Sequence, residues 1–155
     1  MLQDKKTIYN RHLNFIKKIC NTNIVYALEN DDGFATSWSD EFEDEYGDPA
    51  GIICFWAEEA RAKSCIADEW NDYHLKEIKL PDFVENWCIG MHNDGMIAGT
   101  SFDKNLFGYE MEPLGLILEI ANELKKQNLK MSLRKFSSIE DLEEKVKIIL
   151  HEKKS

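Results

Sequence analysis

The chain has 155 residues, with 29 acidic against 19 basic side chains and a net charge of −10. At 43% hydrophobic, 31% charged and 11% aromatic, it has the composition of one folded domain and not of a disordered or fibrous chain. So acidic a protein is a poor general binder of nucleic acid or anionic membrane, and no apolar run reaches the roughly 18 residues needed to span a bilayer.

The polar start, MLQDKKTIYNRH, lacks the apolar core of a secretory signal, which points to the cytoplasm. Ile8, Ile16, Ile19 and Cys20 share one face of a predicted helix over 8–20, which Asn21 to Asn23 stop. IVYAL (24–28) reads as a strand, Asp32-Gly33 as a hairpin turn, and FATSW (34–38) as the returning strand. The run SDEFEDEYGDP (39–49) crowds like charges and reads as an exposed loop ending at a Pro49 turn. GIICFW (51–56) has the continuous apolar character of a strand covered on both faces.

Residues 57–70 read as one helix, with Ala60, Ser64 or Cys65, and Trp70 on one side. HLKEIKL (74–80) is a short strand, and Pro81 opens a helix that buries Phe83, Val84, Trp87, Cys88 and Met91. Asn93-Asp94-Gly95 is a turn before the strands MIAGTSF (96–102) and FGYEM (107–111). Pro113 opens a further helix, 128–136 is a link, and Ser138 caps a last helix carrying Ile139, Leu142, Val146, Ile149 and Leu150. The expected fold is α+β. It is a single compact domain with a small mixed or antiparallel sheet of about five strands, packed with about five helices. Residues 1–128 form the core domain and 129–155 a C-terminal helical extension. Strand order does not follow from these signals.

An ordered series of aromatics and glycines is more specific. It comprises Gly33-Phe34-Ala35, the pair Phe55-Trp56 entering a helix with Ala60 and Cys65, and then Trp70, Tyr73, Ile78, Leu80, Phe83 and Trp87. Asp94-Gly95, Gly99, Gly108 and Pro113 complete it. Over residues 5–125 this resembles the bacterial family known as domain of unknown function 2750. The chain departs from that pattern at Phe34, where members usually carry Trp, and at Ala57, where they carry Pro. The resemblance implies a compact α+β bacterial cytoplasmic protein and supplies no catalytic residues.

Motifs that carry chemistry are scarce. Cys88 and His92 are spaced for a zinc pair but lack a second pair, so a core cysteine and an exposed turn histidine is the better reading. The acidic run lacks calcium-loop spacing, because Phe42 falls where a ligand belongs. A Cys65–His74 dyad is not required by anything in the sequence, and neither GxSxG nor a phosphate-binding glycine motif occurs. Cys20, Cys54, Cys65 and Cys88 read as reduced core thiols. No cofactor and no metal is expected.

The charge is unevenly placed. Residues 1–18 and 125–155 each carry +4, whereas residues 19–60 hold eleven carboxylates and no Lys, Arg or His. Asp40, Glu41, Glu43, Asp44 and Glu45 supply a field for a basic partner, with Trp38, Phe42 and Tyr46 as apolar anchors. This points to a non-catalytic protein-binding module, in one version an immunity-like or regulatory protein. Two alternatives stay open: a small enzyme with an unrecorded active site, and a subunit that self-associates through its last helix as a homodimer. The basic ends could also fold back and neutralise the acidic middle.

Overall fold

A computed structural model describes residues 4–154, so residues 1–3 and 155 of the two predicted segments lie outside the described residues. Helix α1 (Lys5–Thr22) starts at Asp4, whose side chain accepts from Thr7 N at 2.8 Å. It ends at Asn23, which turns left-handed at φ 67° and donates its N–H to Ile19 O. Strand β1 (Ile24–Asn30) returns at the expected turn as β2 (Gly33–Phe34), with Asn30↔Gly33 in register. Asn30 Oδ1 accepts from Asp32 N and Gly33 N there, and Gly33 takes φ 144°.

Ala35 is where the chain changes sheets. Its N–H donates to Leu28 O at 2.8 Å and its carbonyl accepts from Cys54 N at 3.2 Å. Beyond it, β3 (Thr36–Glu43) pairs antiparallel with β4 (Pro49–Phe55). After a longer excursion β5 (His74–Lys79) pairs with β1, giving a three-stranded sheet in the order β2-β1-β5. The second sheet is β3-β4-β6-β7, with β6 (Ile97–Thr100) parallel to β4 and β7 (Tyr109–Met111) antiparallel to β6. Mutual hydrogen bonds of Tyr26 and Trp56, 2.8 and 2.9 Å long, stitch the two sheets together. The architecture is α+β as expected, with seven strands in two sheets where about five in one sheet were anticipated. The predicted 34–38 strand is divided at Ala35 into β2 and β3, while β7 falls within the predicted 107–111.

Helix α2 (Glu59–Ser64) is much shorter than the predicted 57–70. Asp68 turns left-handed at φ 52°, and Asp68–Trp70 forms a separate 3₁₀ turn. The reason is geometric: at about 3.6 residues per turn, residues five apart lie on different sides of a helix. Breaking the helix lets both Cys65 and Trp70 bury, while Ala60 and Ser64 face solvent and Ala62 takes the inward position. Helix α3 covers 80–93 without interruption, passing through a π-helical stretch at Phe83–Cys88. Helix α4 (Pro113–Lys126) begins on its proline. Helix α5 (Ile139–Lys154) begins with a reciprocal cap: Ser138 Oγ accepts from Asp141 N, and Asp141 Oδ2 accepts from Ser137 N.

Two apolar clusters hold these layers. The larger joins α1, α3, α4 and α5 to β1 through Phe15, Ile19, Val25, Phe83, Ile117 and Leu142. The smaller lies under α2 and the 101–107 loop and contains Ile52, Cys54, Trp56, Trp70 and Phe102. Phe55 belongs to the first and its neighbours Cys54 and Trp56 to the second, so β4 is covered on both faces as its apolar run implies. Ile139, Leu142 and Val146 of α5 insert into the main core, whereas Ile149 stays partly exposed. Among the described residues no helix is long and apolar enough to cross a membrane.

Candidate functional site

The acidic run is not a loop. Its first half is the end of β3, and only residues 44–48 form the turn into β4. Pro49, read as a turn residue, opens β4 instead. Like charges tolerate this strand because β3 is a sheet edge and its register with β4 shifts between Trp38 and Glu43. Ser39 makes that irregularity. Its buried hydroxyl accepts from Glu41 N at 3.0 Å and Phe42 N at 2.7 Å, and donates to Glu110 Oε1. Glu110 stands on β7, the opposite edge of the same sheet, so the sheet curls until its outer strands touch. The Asp40 N–H completes the contact at 3.4 Å from Glu110 Oε2.

Asp44 builds the turn. Its Oδ1 accepts from Tyr46 N at 2.8 Å and Asp48 N at 3.0 Å, while its own N–H donates to Asp48 O. The hairpin thereby brings all eight predicted residues to one end of the second sheet. Trp38 is 73% exposed and Tyr46 81%. Phe42, expected to lack a core, is half-buried and packs against the smaller cluster. Asp40, Glu41, Glu43, Asp44 and Glu45 are exposed, and among the described residues none of them forms an ion pair.

Beside the hairpin runs a cleft of about 530 Å³, lined by Glu43, Asp44, Glu45, Asp94 and Glu112 together with Tyr46 and His92. Among the described residues the basic ends of the chain form no ion pair with this region. Lys125 and Lys147 pair with Glu143, Lys145 with Asp141, and Arg11 with Asp103.

The remaining sequence candidates assemble no metal site among the described residues. Cys88 is fully buried, and His92, expected as an exposed turn residue, is half-buried in the last turn of α3; no group of three or more His, Cys, Asp and Glu there could hold a metal. His74 stands 3.5 Å from Glu29, whereas Cys65 donates to Phe102 O. All four cysteines are free and buried. Burial raises every thiol: Cys20 is pushed up to about 12, with Glu123 adding to the effect, and Cys54 and Cys88 rise further. Burial also raises Cys65. None has the electropositive, accessible surroundings of a reactive cysteine.

Sequence reasoning missed His12. It is fully buried, with Nδ1 2.7 Å from Thr100 Oγ1 and Nε2 2.6 Å from Glu119 Oε1, and its ring stacks on Tyr109 at 4.2 Å. The signal was present, because Ile8, His12, Ile16 and Ile19 share the helical spacing. This hydroxyl–imidazole–carboxylate chain is a support and not a nucleophile, since Thr100 is only 1% exposed. Tyr109 is raised by burial first, then by Glu119, Tyr9 and Glu41, which shows how near the acidic strand comes to β7.

A family model described as a protein of unknown function (DUF2750) matches residues 12–120, and the chain belongs to that family. The match begins inside α1 and ends inside α4, so α5 lies beyond it. No curated protein and no solved structure matches the chain.

Proposed function

We propose that this DUF2750 chain is a non-catalytic protein-binding module that docks a basic partner through the β3–β4 hairpin. One observation carries the reading. Among the described residues Trp38 and Tyr46 are the most exposed large apolar side chains, and the carboxylates they flank form no ion pair there. Aromatic anchors set among unpaired like charges are costly to keep unless a partner covers the one and neutralises the other. The half-buried Phe42 and the Ser39–Glu110 contact fix the hairpin's shape beforehand, which limits the ordering cost of binding. A regulatory or immunity-like role in a bacterial cytoplasm is the specific form we favour, with the carboxylates standing in for the charge of the partner's own ligand.

The test compares proteins retained by the immobilised chain with those retained by two variants. One carries Asp40→Asn, Glu41→Gln, Glu43→Gln, Asp44→Asn and Glu45→Gln; the other carries Trp38→Ala and Tyr46→Ala. Asp44→Asn keeps a side-chain oxygen for the turn. The expected result is a basic protein held by the parent chain and lost from both variants. Retention unchanged by loss of the five carboxylates refutes the docking role.

A further inference from the structure

A separate pocket in this acidic protein is lined mostly by basic and neutral side chains. It has a volume of about 420 Å³ and is lined by Arg11, Lys17, Lys18, Arg61 and Ser101, with Glu58 as its one carboxylate. Phe15 and Ala57 supply a buried apolar floor. The volume falls within the range of about 300–1,000 Å³ typical of small-molecule sites.

Its place in the fold is informative. Strands β4 and β6 are the parallel pair, with Phe55 opposite Thr100. Ala57 and Glu58 follow the carboxyl end of one strand, and Ser101 follows that of the other. In open α/β sheets, ligands settle in the crevice outside the carboxyl ends of parallel strands. Ser101 is held there at φ 54°, with its N–H on Phe55 O at 2.9 Å. A left-handed serine is strained, and such strain concentrates at functional positions.

The Arg11 guanidinium is anchored by Phe107 O at 3.0 Å and Asp103 at 3.7 Å, yet its buried Nε has no partner. Lys17 and Lys18 form no ion pair among the described residues. Among the described residues Arg61 pairs with Glu58 alone, at 3.6 Å between two exposed side chains. Even with Asp103 counted, positive charge is in excess here, in a chain whose net charge is −10. Arginine matches phosphate oxygens in a planar fork, and lysine serves as a point charge for the same groups.

We propose that this pocket binds a small phosphorylated anion, with Arg11, Lys18 and Arg61 as its cationic contacts and Ser101 as a hydroxyl donor. The site is independent of the acidic hairpin and implies a soluble metabolite as a second ligand of the protein.

The test is calorimetric titration of the full chain with inorganic pyrophosphate, with citrate as the carboxylate counterpart. Saturable one-to-one binding is expected for pyrophosphate, tighter than for citrate. Lys18→Gln with Arg61→Gln removes two exposed contacts and weakens binding tenfold or more. Lys5→Gln with Lys6→Gln removes the same charge on the first turn of α1 and leaves affinity within twofold. In the unmodified chain, pyrophosphate shifts the amide resonances of Ser101 and of residues 58–61, a readout independent of any variant's folding. The absence of saturable binding, equal loss in both double variants, tighter binding of citrate, or shifts confined to other residues overturns the proposal.

Discussion

His12 offers a sharp test of how α1 is locked to the second sheet. The imidazole is sealed from solvent and hydrogen-bonded at both nitrogens, to Thr100 and Glu119. His12→Leu retains volume but leaves the Thr100 hydroxyl, itself 1% exposed, without its partner. Thr100→Val leaves Nδ1 unpaired in turn. Orphaning a buried polar group costs about 1–3 kcal/mol, so each single change is expected to destabilise by that much. The double variant removes both partners at once, and replacing both by apolar groups of similar shape is close to neutral. Glu119 contributes little to the difference, because its side chain is 35% exposed and can regain water. The expected coupling is therefore at least about 1 kcal/mol, with the double variant more stable than the sum of the singles predicts. Urea unfolding at pH 7 with a constant slope measures all four species. Additivity within about 0.5 kcal/mol means that the imidazole–hydroxyl contact does not hold α1 in place.

The thiols and the first helix cap give two further expectations. Burial raises all four thiols, so an aromatic disulfide reagent at pH 8 is expected to label none of them in the native chain and all four in denaturant; rapid native labelling of any one contradicts the packing. The Asp4 carboxyl is held below its ordinary value by the Thr7 N–H, so its stabilising effect is present above the usual carboxylate range and is lost as pH falls through the lowered value. Asp4→Ala is therefore expected to unfold at lower urea than the parent at pH 7, with the gap closing in acid; a gap independent of pH removes the cap as its cause.

Local signals in the sequence reach most of the elements because those elements depend on near neighbours. Asn23, Asp32-Gly33, Pro81, Pro113 and Ser138 act within a few residues of themselves, and each ends or starts an element where it stands. The parallel pairing of 52–55 with 97–100 has no local correlate, so strand order was out of reach. The acidic run misled for a physical reason. Like charges normally exclude a paired strand, but an edge position hydrates the carboxylates, and Ser39 absorbs the irregularity. The structure gathers these residues on one hairpin, with a strand and a seating for Phe42 that local signals do not give. The basic pocket was invisible because Lys18, Arg61 and Ser101 come from separate segments that only the fold brings together.

Under the proposed docking role, the hairpin's rings and carboxylates would have separable duties, and this separation is what distinguishes docking from mere solubility. Carboxylates that only keep the chain dispersed need no exposed tryptophan among them. A docking surface uses the charge to steer encounter and the rings to hold the complex. At physiological salt, charges are screened beyond about 8 Å, so in the proposed docking the field of Asp40, Glu41, Glu43 and Glu45 would act only over the last part of the approach. In the proposed complex Trp38 and Tyr46 would act after contact, once water is excluded. Neutralising the carboxylates is therefore expected to lower the association rate and flatten its salt dependence, whereas Trp38→Ala raises the dissociation rate at unchanged salt dependence. If both variants changed only the dissociation rate, the carboxylates would be ordinary contacts, and the charge of the hairpin would have to be explained as solvation.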